Sequence, residues 1–348
     1  MAETARRVFL STLIVVSVVV AVLALWKLRV VIALLFLAFI VAAAMRPSVE
    51  ALRRRGIPRG AGIAIHYLAL AAIIALLLWL FVPIAVDQVQ GAIGGNALRN
   101  EASNETGWKH DALVALDRWL RNVPNTSGIF RHALEATRLG FEILVGVFFV
   151  LASAAYWIFE RKRAIALVVS LLAKDKRRVV VDTWDLIDLK LGAYVRGQLI
   201  LIAAVATVLS LSFWAIGLPY WLLVGGFAGL VEIIPVIGPL SAGALAIGVG
   251  LTSSWHLALA AGAIVLAVRL AEDYLVIPKV LGEAVGLSPL LVLISVTSTA
   301  ILFGGFAVLF AIPLAAVTAT LVGVIVLDKD PADEEVPAII FSAKDTEN

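Results

Sequence analysis

Long apolar runs alternate with short polar stretches along the whole sequence, and this pattern predicts its secondary structure. Eight such runs cover residues 8–26, 30–45, 62–86, 139–159, 198–216, 219–251, 256–278 and 288–326. A helix that crosses the hydrocarbon core of a bilayer needs about 20 apolar residues. Six of the runs are near this length, whereas 219–251 and 288–326 have 33 and 39 residues. The pattern therefore predicts an all-α polytopic membrane protein with about six full spans and two broken helices.

Composition agrees with a membrane protein and argues against several other classes of function. Hydrophobic residues make up 62% of the 348 residues and charged residues 15%, against about 45–50% and about 25% in soluble domains. The chain has no cysteine and its four histidines are far apart, so we expect neither thiolate chemistry nor a histidine metal site. It has no phosphate-binding loop, and its net charge of +3 gives no sign of nucleic-acid binding. We therefore expect no enzyme activity, no cofactor and no bound metal.

The basic residues predict which side of the membrane each loop faces. Segment 46–60 has five arginines and one acid, and segment 161–196 has nine Lys or Arg against four Asp. Loops rich in Lys and Arg stay in the cytoplasm, so both segments are predicted to be cytoplasmic. Segment 87–138, with six basic and six acidic residues, is then predicted to lie outside. Both chain termini are predicted to be cytoplasmic, and the basic residues that flank the first run favour a retained anchor over a removed signal peptide.

Each of the two longest runs contains residues that break a helix. The motif "LVEIIPVIGPL" in the first has Pro235 and Pro239, each of which removes a backbone donor and clashes with the preceding turn. The motif "FGGF" in the second has Gly304 and Gly305, with Pro313 further along. Two interpretations stay open, namely hairpins whose short arms meet inside the membrane, or full spans with a kink. Each broken run follows one full span, and the predicted topology makes the two copies inverted, which is typical of secondary transporters.

These predictions divide the chain into six parts. They are the N-terminal three spans (1–86), a small helical extracytoplasmic insertion (87–138), the fourth span (139–160), cytoplasmic basic and amphipathic helices (161–197), a transport core with the inverted repeat (198–326) and an acidic, disordered, cytoplasmic tail (327–348). Within the insertion, 107–121 has the periodicity of an amphipathic helix. Within the cytoplasmic part, 179–198 places Asp182, Asp185 and Asp188 on one face, which predicts a surface helix.

Ionisable residues inside the apolar runs are the candidates for a functional site. Glu232 lies three residues before the first proline of its break, and a charged side chain at the centre of a spanning helix costs about 2.5–3.5 kcal/mol on insertion scales. Since burial favours the neutral form of a carboxyl, such a group suits proton exchange. In "VRLAEDY", Arg269 has Glu272 and Asp273 at helical spacing. The alternatives are a structural carboxyl bonded to backbone donors that the break frees, and an ion pair near the membrane surface.

The motif "SVTST" lies just before the second break and contributes hydroxyl groups. Its members Ser295, Thr297 and Ser298 could bind a polar solute, and hydroxyls that pack helices together are an equally good interpretation.

Three stretches, "YVRGQLILIA", "GLPYWLLVGGFAGLVEIIPVIGPL" and "IPKVLGEAVGLSPLLVLISVTSTAILFGGFAVLFAIPLAAV", carry a family resemblance. They resemble the autoinducer-2 exporter family of bacterial membrane proteins, also called the PerM-like permeases, over residues 140–325. The family's motif positions, carried onto this chain, are Arg196, Gly197, Gln198, Glu232, Pro235, Gly238, Pro239, Pro278, Lys279, Gly282, Pro289, Gly304 and Pro313. The resemblance implies export of small polar signals or, in some members, exchange of Na⁺ or Li⁺ for H⁺, and it implies homo-oligomers such as a pentamer. This chain has "FGGFAVLFAIP" where many members have "FGPLGLLLAVP", so its second break lacks one proline.

Together, the residues and the resemblance predict a proton-coupled secondary transporter that exports a small polar solute, such as autoinducer-2, across a bacterial inner membrane. The expected partners are the lipid bilayer, the solute, H⁺ or Na⁺, and further copies of the chain. The predicted solute or ion site comprises Gln198, Glu232, Pro235, Gly238, Pro239, Arg269, Glu272, Asp273, Ser295, Thr297 and Ser298, and the predicted structural breaks are Pro278, Gly282, Pro289, Gly304, Gly305 and Pro313. Two alternatives stay open, a monovalent cation/proton antiporter and, in a different class, a membrane scaffold that transports nothing.

Overall fold

The computed structural model describes residues 2–93, 126–234, 237–276, 288–334 and 336. They form the helices α1 (Ala2–Lys27), α2 (Arg29–Arg54), α3 (Arg59–Ile93), α4 (Thr126–Ser170), α5 (Arg177–Ala215), α6 (Trp221–Val231), α7 (Ile237–Ser253), α8 (Trp255–Ala271), α9 (Pro289–Phe303) and α10 (Ala311–Ile325). Three short pieces join them, a 3₁₀ turn (Lys174–Lys176), a π-helical turn (Glu272–Val276) and a second 3₁₀ segment (Gly305–Phe310).

Six helical stretches of the described residues are long and apolar enough to cross a membrane. They are Arg29–Arg54, Arg59–Ile84, Arg138–Ser170, Lys174–Ala215, Trp255–Leu275 and Ala307–Ile325, and the shorter apolar helices are Thr12–Lys27, Trp221–Val231, Ile237–Ser253 and Leu290–Phe303. The prediction of an all-α polytopic membrane protein is therefore confirmed. The first predicted run lies within α1, a helix of 26 residues. The long helices differ from the predicted full spans at one place, since the second arm of run 288–326 is long enough to cross.

Helix α5 is central to the packing because it contacts helices from both the N-terminal and the C-terminal half of the chain. Its first half lies against α2, where Leu191 is fully buried, and its second half lies against α6, α7 and α8, where Phe213 is fully buried. Small residues allow the close approach of α6, since a Cβ at Gly229 would lie 2.8 Å from the carbonyl oxygen of Ile202 and 2.5 Å from the Cβ of Ala206. Contacts between small residues are how helices approach closely within a membrane.

The two helices around the predicted cytoplasmic part are longer than the predicted boundaries. Helix α4 continues past 160 to Ser170, and α5 runs without interruption from Arg177 to Ala215. The prediction of a separate surface helix at 179–198 is therefore wrong. Asp188 and Lys190 on this stretch are only 4% and 6% exposed. An amphipathic pattern locates a polar face, and here part of that face meets charged groups of the protein instead of water.

The first broken run folds back on itself. Helices α6 and α7 are separated by a short turn, and a Cβ built on Gly238 would lie 2.8 Å from the carbonyl carbon of Val231. In a straight helix these two residues would be separated by about 10 Å along the axis. The contact therefore favours the hairpin interpretation over a kinked span.

The second broken run also folds back, at a glycine. Val296 in α9 packs against Val308 and Ala311, which lie beyond the break. Gly304 turns the chain with a φ of +89°, a conformation that favours glycine. As predicted, "FGGF" contains the break.

Two predicted structural breaks instead lie at helix starts. Pro289 occupies the first turn of α9, after Ser288, whose Oγ accepts a hydrogen bond from the backbone N–H of Leu291 at 3.3 Å. Pro313 is the third residue of α10. Both prolines thus mark where a helix begins and do not interrupt one, because the first turn of a helix has no intrahelical partner for its N–H groups.

Several predictions fall on residues that the structure leaves undescribed. Pro235, Pro278, Gly282 and the amphipathic helix at 107–121 lie outside the described residues. The start of the acidic tail is described and differs from the expectation of disorder. Pro331 is buried, and the carboxylate of Glu334 lies 2.6 Å from the Lys190 Nζ on α5.

Candidate functional site

The first break positions Glu232 at the tip of a hairpin. Helix α6 ends at Val231, and Glu232 follows as the first residue of the turn. The turn is fixed by two backbone hydrogen bonds, from Ile234 N–H to the carbonyl of Val231 at 3.0 Å and from Gly238 N–H to the carbonyl of Ile234 at 2.8 Å. Glu232 is 8% exposed, so its carboxylate needs partners within the protein.

Helix α8 provides those partners. Arg269 lies in its last turn, and its Nη1 donates to Glu232 Oε1 at 3.2 Å and to Glu272 Oε2 at 3.2 Å. Its Nη2 lies 2.9 Å from Asp273 Oδ1. Both acidic partners sit in the π-helical turn that follows α8, a feature often found at functional sites. One guanidinium thus joins the tip of the hairpin to the end of α8, and we call Glu232, Arg269, Glu272 and Asp273 the ionic cluster.

The ionic cluster carries more negative than positive charge. Three carboxylates face one guanidinium, which gives a net charge of −2 when all four groups are ionised. Glu272 is 4% exposed, and its Oε1 has no hydrogen-bond partner among the described residues. Charge burial without full compensation is costly, so uptake of a proton would stabilise the cluster.

A small cavity lies against these carboxylates. Its volume is about 10 Å³, close to the minimum for one water molecule. Its walls are formed by Val205, Leu209, Glu232, Pro239, Ala242, Val265, Val268, Arg269 and Glu272. The predicted site residue Pro239 is thus beside the cluster. Gln198 on α5 is close as well, because its Nε2 donates to the backbone carbonyl of Glu232 at 3.2 Å.

The hydroxyl groups of α9 lie apart from the cluster. Thr297 and Ser298 are exposed and Ser295 is half-buried, and none of the hydrogen bonds found among the described residues joins them to the cluster. The second broken run nevertheless contacts the first break, since Ile234 packs against the cluster of Val296, Val308 and Ala311. The structure thus brings the two breaks together through apolar contacts and leaves the hydroxyls to one side.

A second buried group of charges was missed at the sequence level. Arg161 on α4 donates to Asp188 Oδ2 at 2.6 Å and also to Asp185, and Arg46 on α2 donates to Asp188 Oδ2 at 3.2 Å. The group joins α2, α4 and α5 at one level and acts as a structural anchor. Its sequence signal is weak, because each arginine resembles an ordinary basic residue at the end of an apolar run and only the fold shows that they meet.

No group of three or more His, Cys, Asp or Glu among the described residues could hold a metal ion. The described residues instead show long apolar helices and two apolar runs that each fold back on themselves. A buried ionic cluster lies at the tip of the first of these two hairpins. These features define a multi-pass membrane protein with a polar site among its spans, the arrangement typical of transporters.

Comparison with known proteins assigns the family. Residues 13–327 match the model of the AI-2E family transporter, and the chain belongs to this family. It is 25% identical over 284 residues to YrrI of Bacillus subtilis (strain 168), covering 78% of this chain and 80% of YrrI. It is 26% identical over 294 residues to YueF of the same organism, covering 78% of each chain. Both relatives are named "putative transport protein". The predicted family resemblance is thereby confirmed, and family members are transporters and not enzymes.

Proposed function

We propose that this AI-2E family transporter is a proton-coupled exporter of a small polar solute, such as autoinducer-2, in the bacterial inner membrane. The observation that carries the proposal is the ionic cluster, in which Glu232 at the hairpin tip shares Arg269 with Glu272. A proton that binds there reduces a net negative charge that the surroundings leave partly uncompensated. The cluster therefore favours proton binding, and the proton binds directly at the helix break.

Protonation would also change how firmly the hairpin is held. The ionised Glu232 carboxylate is attached to α8 through Arg269 at 3.2 Å. The neutral carboxyl loses the charge-assisted part of this bond, which is roughly half its strength. The α6–α7 hairpin can then shift relative to α8, while Arg269 keeps two other carboxylates as partners. Since Ile234 at the same tip contacts the second broken run, such a shift reaches both halves of the inverted repeat.

The predicted topology, with both termini in the cytoplasm, belongs to this proposal. The contact between Lys190 and Glu334 supports it, because it places the start of the tail beside α5 near the anchor of Arg46, Arg161 and Asp188. The start of the tail and the basic residues of 46–60 and 161–178 are then on one side, the side that their Lys and Arg content assigns to the cytoplasm. A homo-oligomer is likewise a proposal that rests on the family resemblance.

A monovalent cation/proton antiporter is the second candidate function. The specific observation in its favour is the excess of carboxylates in the cluster, with Glu272 Oε1 left unpartnered. Carboxylate oxygens are ligands for hard cations. A scaffold that transports nothing is a weaker candidate, because a scaffold gains nothing from a charge cluster that is expensive to bury.

The test is flux through proteoliposomes as a function of pH for the wild type and for Glu232→Gln. Glutamine keeps the shape of the side chain and cannot titrate, so we expect the pH dependence of transport to disappear while the purified protein stays intact. The matched control is Glu142→Gln, because the Glu142 carboxylate is 57% exposed and pairs with Arg138 on the same helix. Its pH profile should match that of the wild type.

The choice of gradient separates the candidate functions. Solute efflux driven by an imposed pH gradient supports the exporter, and proton movement that depends on a Na⁺ or Li⁺ gradient supports the antiporter. Superimposable pH profiles with equal maximal flux for the wild type and Glu232→Gln would contradict the coupling role of Glu232. No flux of any solute or cation, with intact protein in the liposomes, would favour the scaffold.

A further inference from the structure

A large cavity, separate from the ionic cluster, opens between α2, α4, α5 and α10. Its volume is about 870 Å³, within the range of roughly 300–1,000 Å³ for small-molecule sites. The walls are formed by Leu35, Phe36, Ala38, Phe39, Ser153, Trp157, Asp175, Lys176, Val179, Val180, Thr183, Trp184, Ile187, Val317, Leu321, Val324, Ile325 and Asp328. None of these residues belongs to the predicted transport site.

The cavity has an apolar body along two of its helices. The wall residues of α5 extend from Val179 to Ile187 and those of α10 from Val317 to Ile325, which corresponds to about 12 Å along each helix. Half of a bilayer's hydrocarbon core measures about 15 Å. The apolar body therefore has the length of the acyl region of one leaflet.

Charged groups lie where these apolar stretches end. Asp175 and Lys176 come just before the first turn of α5, and Asp328 comes shortly after the end of α10. All three are exposed. The cavity thus has a long apolar part and, where the apolar stretches end, a charged part with one lysine and two carboxylates.

The aromatic wall contains a polar atom that lacks a partner. Phe39, Trp157 and Trp184 pack on one another, the two indoles stacking at 5.7 Å. The Trp184 Nε1–H is buried and has no acceptor among the described residues. This donor has almost no accessible surface, so the wall presents its aromatic rings to the cavity and keeps the N–H away from it.

We propose that this cavity binds a glycerophospholipid with an ammonium head group, such as phosphatidylethanolamine. The phosphate pairs with Lys176, the ammonium pairs with Asp175 and Asp328, and the acyl chains lie along the aromatic and apolar wall. The charges favour this head group over an anionic one, since the wall has two carboxylates and one lysine. A lipid is favoured because apolar residues of the wall face outward, with Leu35 47%, Leu321 39% and Ile325 72% exposed.

The experiment is native mass spectrometry of the purified full chain in detergent, titrated with phosphatidylethanolamine and phosphatidylglycerol that carry the same acyl chains. We expect phosphatidylethanolamine to be retained more tightly by about fivefold, the upper value for one exposed ion pair. Asp328→Asn should weaken this preference, because only Asp175 is then left to pair with the ammonium. The fold should tolerate this change, because Asp328 has a φ of +49° and asparagine adopts such conformations readily. Asp333→Asn, an exposed carboxylate of the same tail that does not line the cavity, is the matched control.

A second variant tests the apolar body. Val317→Trp fills the cavity from α10 and should remove retention of both lipids. The elution volume and the transport flux of this variant should equal those of the wild type, because the cavity is separate from the ionic cluster. Equal retention of the two lipids, or an unchanged preference in Asp328→Asn, would overturn the proposal and leave only nonspecific lipid binding. Full lipid retention by Val317→Trp would overturn it as well. If the wild type retains no lipid but self-associates, and Val317→Trp abolishes that association, the cavity belongs to a contact between copies of the chain.

Discussion

Replacing Gly238 with alanine tests the fold at the point where the ionic cluster is built. The new Cβ would overlap the carbonyl oxygen of Val231 and would lie 3.2 Å from the Cα of Glu232. Since nonbonded carbon atoms rest at about 3.5–4.0 Å, the two arms of the hairpin must separate. That movement displaces the residue whose carboxylate binds Arg269.

The matched variant is Gly248→Ala in the same helix. A Cβ on Gly248 meets nothing within 4 Å. Both substitutions gain the helix propensity of alanine, up to about 1 kcal/mol, so this gain largely cancels when the two variants are compared. The remaining difference is the cost of forcing an atom into a packed contact, about 1–3 kcal/mol. We therefore expect Gly238→Ala to be less stable than Gly248→Ala by about this amount.

The assay is equilibrium unfolding in mixed detergent micelles, followed by helix content, together with proteoliposome flux. Gly238→Ala should unfold at lower denaturing-detergent content than Gly248→Ala and should show reduced flux at every pH. Equal unfolding of the two variants, or greater stability of Gly238→Ala, would refute the close contact between the arms of the hairpin and with it the placement of Glu232.

Two other predictions concern the buried anchor and the topology. Arg161→Gln leaves the Asp188 carboxylate, which is 4% exposed, with only one of its two arginines, so we expect a loss of up to about 3 kcal/mol in unfolding free energy. Arg163→Gln, an exposed arginine on the same helix, should unfold like the wild type, and equal stability of both variants would show that the anchor contributes little. Because the chain has no native cysteine, a cysteine introduced at Ser253 should react with an impermeant reagent from outside the cell and one at Asp333 should not. Labelling of Asp333→Cys from outside would reverse the proposed orientation.

The sequence by itself was sufficient for the class of protein and for the positions of its breaks. Long apolar runs can satisfy their backbone hydrogen bonds in a membrane only as helices or closed barrels, so hydropathy predicts the helices directly. Prolines and glycines mark the ends of their own helical segments, which is why the breaks near Glu232 and at Gly304 could be located without a fold. Pro239 is the third residue of α7, and Gly304 directly follows α9. Pro289 and Pro313 likewise stand at helix starts, since a proline is tolerated where no hydrogen bond within the helix passes through its position.

Only the tertiary structure decided which charges meet. Arg269 and Glu272 are neighbours on one helix and were paired from their spacing, but the bond from Arg269 to Glu232 joins residues 37 positions apart. The burial of Asp188 likewise depends on arginines from two other helices. Such contacts follow from the angles at which helices cross and from small residues that let them approach. Local periodicity specifies the face of a helix but leaves its partner undetermined. The large cavity has the same origin, because four separate helices form its walls.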